Sequence, residues 1–392
     1  MAHNQSGSLL ENVGILAGGF TALFFLSALN SAYSTVLSMI KSELSLSYAL
    51  SGFLMTSYFV GYALGQIPWG FMTDRFGIKK TMTLSLAGTA MSTVFFGFAA
   101  NIWQIIVSRF LAGLLGAGLF VPAVKLISVW FSSNKRGTAL GVLNIGGSLG
   151  LVAISWFSPI LSFSFGWRGS LILIGLSGFL SSCLAWQLLR DQTISLSENE
   201  HRLNLKETFG NKGFWALAFM QFVRLGSYYT FIAWLPIFFQ EEYGLSLLAA
   251  GTAFSLFNLA GTVSNPLGGV FSDRVGEKLT IFLSFIFLAL TIMIFFEINM
   301  LQIPYISAFI LGWFINFVRS PIFTIIPKIW GASMAGKISG IHNTFASIGA
   351  LVLPFFLGYI KDLTNSYYFG WILLSVLLIL GTILNLLIRM PE

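Results

Sequence analysis

Long runs of apolar residues, separated by short polar connections, make up most of this chain. The hydrocarbon core of a bilayer, about 30 Å thick, takes roughly 20 helical residues to cross, and each run meets or approaches that length. Strands of a membrane barrel are shorter and alternate lipid-facing with lumen-facing side chains, which these unbroken runs do not. The pattern predicts an all-α membrane protein with twelve transmembrane helices. The predicted spans are Val13–Met39, Tyr48–Met72, Thr81–Ala99, Ile102–Phe131, Thr138–Phe163, Gly169–Leu189, Phe214–Phe239, Leu247–Phe271, Leu279–Phe296, Met300–Ile329, Ile338–Ile360 and Tyr367–Ile388.

The connection between the sixth and seventh runs is polar, carries charges of both signs and is long enough to be a linker. It divides the predicted spans into six and six. We therefore expect an N-terminal six-helix bundle at residues 1–190, a cytoplasmic linker at 191–212 and a C-terminal six-helix bundle at 213–392.

A charged turn closes the second run and recurs, with the same spacing, at the end of the eighth run. Glycines allow a tight reversal and close helix approach, and the charged side chains can bond backbone ends or a neighbouring helix. Both turns are therefore candidate conformational latches. The first copy is Gly70, Asp74, Arg75 and Gly77, and the second, 199 positions later, is Gly269, Asp273, Arg274 and Gly276.

Two further sets of residues repeat at the same offset of 199 positions. Three separated matches in one register are hard to produce by chance, so we predict a duplicated bundle with pseudo-symmetric halves. Small residues in the fifth and eleventh spans would let helices approach closely and slide. The matches are Gly141, Asn144, Ser148 and Gly150 with Gly340, Asn343, Ser347 and Gly349, and Pro122 with Pro321.

Composition and charge agree with a membrane protein. Hydrophobic residues make up 56% of the chain and charged residues 9%, a composition that would precipitate as a soluble domain. The net charge is +7, and most basic residues fall in alternate connections, which predicts that these connections and both termini are cytoplasmic. The charge is thus a topology signal, and we expect no nucleic-acid partner. The predicted location is the plasma membrane, or the inner membrane in a bacterium, with the lipid bilayer as partner.

Catalytic and metal chemistry finds no support in the sequence. The single cysteine, Cys183, excludes an intrachain disulfide and a cysteine-cluster metal site. The chain shows neither a nucleophile with a partnered histidine nor a cluster with metal-ligand spacing. We therefore expect no enzyme activity, no cofactor and no metal, and we expect a monomer.

The sequence resembles the major facilitator superfamily over nearly its whole length. The run from Gly70 to Lys80 matches that family's signature loop between helices two and three. The run from Arg109 to Gly118 is similar to its helix-four motif, an arginine followed by spaced glycines. The resemblance implies two pseudo-symmetric bundles, a central cavity lined by helices one, four, seven and ten, and transport by rocking of the halves.

Within that superfamily, the chain is similar to the organic-anion carriers, namely the anion symporter, organophosphate exchanger and oxalate exchanger branches. One similar phrase is Trp130-Phe131 followed by Lys135-Arg136-Gly137. The other is Trp234-Leu-Pro236 followed by Tyr243-Gly-Leu-Ser246.

Four basic residues, Arg109, Lys125, Arg224 and Arg319, lie inside predicted spans, whereas none of the 14 acidic residues lies in the middle of one. An ionised side chain at bilayer depth costs roughly 2.5–3.5 kcal/mol on insertion scales, so an unpaired cation there indicates a functional site by default. The missing counter-charge would then be the ligand.

Arg224 and Arg319 are the strongest candidates for substrate binding. At 1.5 Å per residue, Arg224 lies roughly 16 Å into the seventh span, and Arg319 is placed similarly in the tenth. Two guanidinium groups facing each other would bind a carboxylate, a phosphate or a similar oxyanion bidentately. The alternative is that both bond backbone carbonyls and stabilise helix packing.

Uncharged side chains could complete such a site. Some lie one helical turn from a candidate arginine, and others lie in the first span, which lines the cavity in the resembled fold. Tyrosines in membrane proteins also anchor at interfaces or pack inside bundles. The candidates are Gln221 and Tyr228 beside Arg224, Asn316 beside Arg319, and Asn30 and Tyr33 in the first span.

Three further residues have two interpretations each. Lys125 is a substrate ligand or a lysine whose flexible stem reaches cytoplasmic water. Arg109 belongs to the helix-four motif, for which the resemblance implies a structural or coupling role. His342 could carry a proton, because the pKa of histidine lies near neutrality, or it is a hydrogen-bonded packing group. Arg109 and His342 are therefore the candidates for coupling.

The leading hypothesis is a secondary transporter that moves a small, organic anion by alternating access. Because no acidic residue lies at bilayer depth, antiport or uniport is favoured over proton symport. An alternative with the same fold is an exporter of amphiphilic drugs or a carrier of siderophore-like compounds, with phenylalanines lining the cavity. A sensor without transport, or a membrane enzyme, has no supporting motif.

Overall fold

The computed structural model describes residues 9–131, 136–191, 205–295 and 303–388, and the regular secondary structure of these residues is α-helical. A helix satisfies every backbone polar group within its own segment, which apolar surroundings require. The helices are α1 Leu9–Thr35, α2 Leu37–Leu44, α3 Tyr48–Phe76, α4 Ile78–Phe98, α5 Ile102–Trp130, α6 Arg136–Leu188, α7 Leu205–Gly210, α8 Lys212–Tyr243, α9 Leu247–Val275, α10 Glu277–Phe295, α11 Ile303–Phe317, α12 Arg319–Trp330, α13 Ala332–Thr364 and α14 Tyr368–Asn385.

These helices supply the twelve predicted spans. Ten stretches of the described chain are long and apolar enough to cross a membrane. One of them, in α6, contains both the fifth and the sixth predicted span, which meet at Gly166, where a φ of 66° interrupts the helical geometry. The second span is α3, and the tenth is divided between α11 and α12. The all-α, twelve-helix prediction is confirmed.

The described contacts divide the chain into two units. Unit 1 comprises Met1–Leu44 and Ser57–Leu196, and unit 2 comprises Ser45–Thr56 and Ser197–Glu392. The predicted bundle boundaries differ from this division at the beginning of α3, which belongs to unit 2. Residues 192–204 of the predicted linker lie outside the described residues.

Close backbone contacts at glycines hold unit 1 together. In this unit α6 packs against α1 and α4, and α4 packs against α5. A Cβ added to Gly113 in α5 would lie 2.7 Å from the carbonyl carbon of Tyr58 in α3. One added to Gly150 in α6 would lie 2.9 Å from that of Phe24 in α1. Glycine is therefore required at both positions for the helices to approach this closely.

Unit 2 repeats these contacts. Its helix α8 packs against α13, α9 against α11, and α10 against α14. A Cβ added to Gly312 would lie 2.7 Å from the carbonyl carbon of Phe257, and one added to Gly349 would lie 2.8 Å from that of Phe222. Both glycines follow their counterparts in unit 1 by 199 positions. Their partners Tyr58 and Phe257 are also 199 positions apart, whereas Phe24 and Phe222 are 198 apart, so the offset holds for the first contact and differs by one residue in the second.

The matched prolines interrupt matched helices. Proline has no N–H to donate to the carbonyl four residues earlier, so the helix distorts there. In α5, Gly118 departs from helical geometry four residues before Pro122. In unit 2, α11 ends and α12 begins around Val318, three residues before Pro321. This interruption makes Arg319 the first residue of α12.

Candidate functional site

Arg224 lies in the middle of α8 and is 4% exposed. Its Nε donates a hydrogen bond of 3.0 Å to Oε1 of Gln221, one turn earlier. Its Cζ lies 6.0 Å from the centre of the Phe323 ring. No acidic residue that the structure describes forms an ion pair with Arg224. Within the described part of the chain, the buried charge therefore contacts a neutral amide and an aromatic ring rather than a carboxylate.

Arg319 adds a second positive charge to the same place. It is close enough to Arg224 for the two guanidinium charges to repel each other, and both act on the phenol of Tyr228. Arg319 also lacks an ion pair with any acidic residue among those described. Two like charges that repel each other oppose burial of the pair in an apolar span. The structure thus brings together Arg224, Arg319, Tyr228 and Gln221, four residues predicted to bind the substrate.

Buried polar atoms without a partner lie on the same helix. Nε2 of Gln221 and Oγ of Ser227 are fully buried, and neither bonds another described residue. Buried polar groups are normally hydrogen-bonded, so such atoms require an explanation. Sequence reasoning missed Ser227, although its spacing of three residues from Arg224 places both on one helix face. Both atoms are therefore unsatisfied hydrogen-bonding groups on the helix that carries Arg224.

Asn316 has a packing role in the structure. Its Nδ2 donates to the carbonyl oxygen of Gly312 at 3.0 Å. A Cβ added to Gly261 in α9 would lie 2.8 Å from Cγ of Asn316. The side chain therefore fills the contact between α9 and α11, and its hydrogen bond to Gly312 does not join it to the arginines.

Arg109 forms a separate buried cluster in unit 1. It is 2% exposed, and its Nη1 and Nη2 donate to the backbone oxygen and to Oδ1 of Asn30 at 3.1 and 2.8 Å. Its Cζ lies 4.3 Å from the ring centre of Tyr33 and 4.8 Å from that of Tyr58. Cation–π contacts of this kind contribute up to about 2 kcal/mol when desolvated. The structure thus joins Asn30 and Tyr33, predicted as substrate ligands, to a residue predicted for coupling.

Lys125 lies with the latch residues of the first charged turn. Its Nζ is 2.6 Å from Oδ1 of Asp74. In unit 2, Nζ of Lys328 is likewise 2.6 Å from Oε1 of Glu277. Each lysine follows its acid by 51 positions, so the ion pair recurs with a shift of one helical turn relative to the repeat. Glu277 rather than Asp273 therefore provides the ion pair of the second turn.

Both charged turns contain the tight reversal that the sequence predicts. The φ angles of Gly77 and Gly276 are 90° and 92°, a region that favours glycine. Gly70 is different, because an added Cβ there would meet nothing within 4 Å. The exposed charged members of the two turns are Asp74, Arg75, Asp273 and Arg274.

His342 lies in an aromatic cluster of unit 2 and is fully buried. Its Nε2 is 3.2 Å from the carbonyl oxygen of Phe214, and the two ring centres are 4.6 Å apart. The ring of Trp330 lies 6.0 Å away. These surroundings are those expected if His342 is a hydrogen-bonded packing group, which is the alternative to a role in proton coupling.

Comparison with known proteins agrees with the architecture. The sequence profile of the Major Facilitator Superfamily matches residues 19–354 and 217–392. A probable galactarate/D-glucarate transporter from Bacillus subtilis is 25% identical over 94% of this chain and 93% of that protein. A probable sulfoacetate transporter from Cupriavidus necator is also 25% identical, over 96% and 93% of the two chains.

A solved structure supports the fold. It is a bacterial homolog of the human lysosomal transporter Spinster, in an inward-facing and unoccupied conformation. It matches this structure with a TM-score of 0.81 and 17% identity over 97% of both chains. The chain therefore belongs to the major facilitator superfamily, and it is a membrane transporter rather than an enzyme.

Proposed function

We propose that this transporter carries a small organic anion and that Arg224 and Arg319 bind it. The observation that carries the proposal is the pair of neighbouring guanidinium groups, neither of which has an acidic partner among the described residues. An anion bound there would relieve their repulsion and accept charge-assisted hydrogen bonds from both. A neutral or cationic ligand would leave the repulsion in place.

The names of the relatives support the charge of the ligand. Galactarate, glucarate and sulfoacetate, the substrates in the names of two relatives, are small organic ions with two acidic groups each. Two positive charges in unit 2 suit such a ligand. The proposal for this chain is the shared class, a small organic anion.

The neighbours of the two arginines have separate roles in this proposal. Gln221 orients Arg224 through the bond to Nε, which leaves the two terminal nitrogens available to the ligand. Tyr228 and Ser227 offer hydroxyl groups to polar atoms of the ligand. The beginning of α12 adds the partial positive charge of a helix N-terminus beside Arg319.

A thermal-shift screen of the purified protein against a library of anions tests the proposal. Galactarate, glucarate and sulfoacetate are the first probes. A ligand at 100 times its dissociation constant adds about 2.7 kcal/mol to the free energy of unfolding. We expect an anion to give the largest shift, and we expect Arg224→Ala and Arg319→Ala to abolish it. Arg190→Ala is the matched control, because that arginine is exposed and paired with Glu11.

Two results would contradict this assignment. One is a best ligand that is neutral or cationic. The other is an anion whose shift survives both arginine substitutions. Loss of the shift in Arg190→Ala as well would mean that general destabilisation, rather than a lost contact, explains the data.

Coupling is the second part of the proposal, and we infer exchange or uniport rather than proton symport. Arg109 would act in coupling through its cluster with Asn30 and Tyr33, and His342 is the remaining titratable candidate. Uptake of labelled anion into proteoliposomes should be accelerated by unlabelled anion inside and should not require a pH gradient. His342→Gln should leave the pH profile of uptake unchanged if that histidine only packs. A gradient requirement that disappears in His342→Gln would instead assign the proton to that residue.

A further inference from the structure

A half-open apolar cavity of about 260 Å³ lies within unit 1. It is bounded by α1 and by the two limbs of α6, which are the stretches before and after the interruption at Gly166. Its floor includes Ala28, Ile154 and Ile174, which are 3%, 4% and 5% exposed. The proposed anion site uses none of these residues, so the cavity requires a separate explanation.

The rim of the cavity is exposed and its surroundings are apolar. Phe157 and Leu173 lie at the rim, and Phe157 is 60% exposed. The hydroxyl of Ser177, also at the rim, donates to the carbonyl oxygen of Ile174 at 2.8 Å, so its hydrogen bond is made within the helix. Other exposed residues of α6 near the rim are large and apolar as well, for example Ile160, Leu176 and Leu180. Such a surface suits contact with hydrocarbon rather than with water.

The cavity lies at bilayer depth. Ile154 is sixteen residues from the beginning of the fifth predicted span at Thr138 and nine residues from its end at Phe163. At 1.5 Å per residue these separations are about 24 and about 14 Å, so Ile154 lies within a hydrocarbon core about 30 Å thick. The medium at the rim is therefore the acyl chains of the lipids.

Direct contacts join α1 and α6 on both sides of the cavity. Towards one end, a Cβ added to Gly150 would lie 2.9 Å from the carbonyl carbon of Phe24. Towards the other end, Oγ of Ser158 donates to the carbonyl oxygen of Ala32 at 3.0 Å. Oγ of Ser170 donates to the carbonyl oxygen of Ser158 at 3.0 Å, which joins the two limbs of α6. These contacts fix the walls, so a small movement of one helix does not close the cavity.

Small side chains create this space, and the internal repeat has larger ones in their place. Ala153 and Ser177 line the cavity. The positions 199 residues later are Val352 and Val376. The duplicated scaffold therefore accepts valine at both positions, and the small residues are a feature of unit 1.

We propose that this cavity binds one acyl chain of a membrane phospholipid. The chain enters between Phe157 and Leu173 and reaches Ala28 at the floor. Apolar cavities of comparable size stay dry and accept apolar ligands, and hydrocarbon in this one gains contacts with three helical segments. The inference goes beyond the proposed function, because it concerns a lipid and residues that the anion does not need.

Photo-crosslinking with a labelled lipid tests the proposal. The purified protein is reconstituted into nanodiscs that contain phosphatidylcholine with a diazirine near the middle of one acyl chain. After illumination, tandem mass spectrometry assigns the adducts to residues. Lipid around any membrane protein labels exposed side chains such as Phe157. Adducts at Ala28 and Ile154, which are buried, require a chain inside the cavity, and we expect both.

Filling the cavity with the residues of the other unit should exclude the chain. Ala153→Val combined with Ser177→Val should lower the adducts at Ala28 and Ile154 about tenfold, because the added methyl groups occupy the space. Ser177→Val alone, at an exposed position, should lower them about threefold. Ala63→Val is the matched control, because it makes the same change at an exposed position of α3 that does not line the cavity, and it should leave the adducts unchanged.

Several results would overturn the proposal. One is that the adducts of the unsubstituted protein are confined to exposed side chains. Another is that the adducts at Ala28 and Ile154 persist in the filled variants, or fall equally in Ala63→Val. Loss of these adducts at a high ratio of protein to lipid would assign the cavity to a second copy of this chain instead. If the melting temperature shows that the double variant does not fold, Ser177→Val decides by itself.

Discussion

Replacement of Gly349 by alanine tests the close packing of α13 against α8. The added methyl carbon would lie 2.8 Å from the carbonyl carbon of Phe222 and closer still to its oxygen, whereas ordinary contacts begin at 3.4 Å. Because the obstacle is backbone, the two helices must separate, and overpacking of this kind costs about 1–3 kcal/mol. Alanine returns about 0.8–1.0 kcal/mol of helix propensity. We therefore expect Gly349→Ala to lower the free energy of unfolding by up to about 2 kcal/mol.

Gly340 is the matched control, because it lies on the same helix in the same predicted pattern of small residues. An added Cβ at Gly340 would meet nothing within 4 Å, so only the gain in helix propensity remains. Gly340→Ala should therefore raise the melting temperature of the purified protein, whereas Gly349→Ala should lower it. The repeat supplies a second pair, Gly150→Ala and Gly141→Ala, with the same expected signs. Shifts of equal sign and size within either pair would refute the assignment of these glycines to helix contacts.

Two further predictions concern charged residues that form ion pairs. Hydrogen bonds from Arg168 and then Trp167 lower the pKa of Glu43 below its ordinary value of 4.5. This stabilisation is present above pH 4.5 and is lost as the pH falls through the lower folded pKa, so Glu43→Gln should flatten the acid side of the melting curve against pH. Lys328→Ala should lower the free energy of unfolding by about 3 kcal/mol, because the carboxylate of Glu277, its partner, is 2% exposed. Lys125→Ala should lower it by less than about 1 kcal/mol, because the carboxylate paired with Lys125 is 71% exposed; equal effects in chemical denaturation would contradict this.

Sequence periodicity predicted the fold because a membrane imposes the same requirement on every span. Apolar runs of about 20 residues have one stable solution in lipid, the helix, and the structure contains the predicted twelve. The sequence also predicted the tight reversal at the charged turns. Gly77 and Gly276 have φ angles there that other residues rarely adopt. The repeat at 199 positions then assigned the same geometry to both halves before any contact was known.

The sequence did not predict contacts between helices that are far apart along the chain. Arg109 and Asn30 are 79 positions apart, and nothing in either helix indicates that the amide of one receives the guanidinium of the other. The sequence also left the partner of Lys125 undetermined, because the flexible side chain of lysine can reach either the protein interior or the cytoplasmic water. Asp362 is separated from Tyr48 by 314 positions, and only the folded structure places its carboxylate at the beginning of α3.

The internal repeat also indicates where function lies, through the positions at which it fails. Positions shared by the halves, such as Gly150 and Gly349, bring helices together, and they would serve a carrier of any substrate. The buried cations are not shared: the counterpart of Arg224 is Phe25, that of Arg319 is Phe120, and that of Arg109 is Ala308. A charge in an apolar span opposes folding, and its presence in one half alone agrees with the roles proposed for these residues. The proposed anion site and the packing glycines can therefore be tested by separate substitutions.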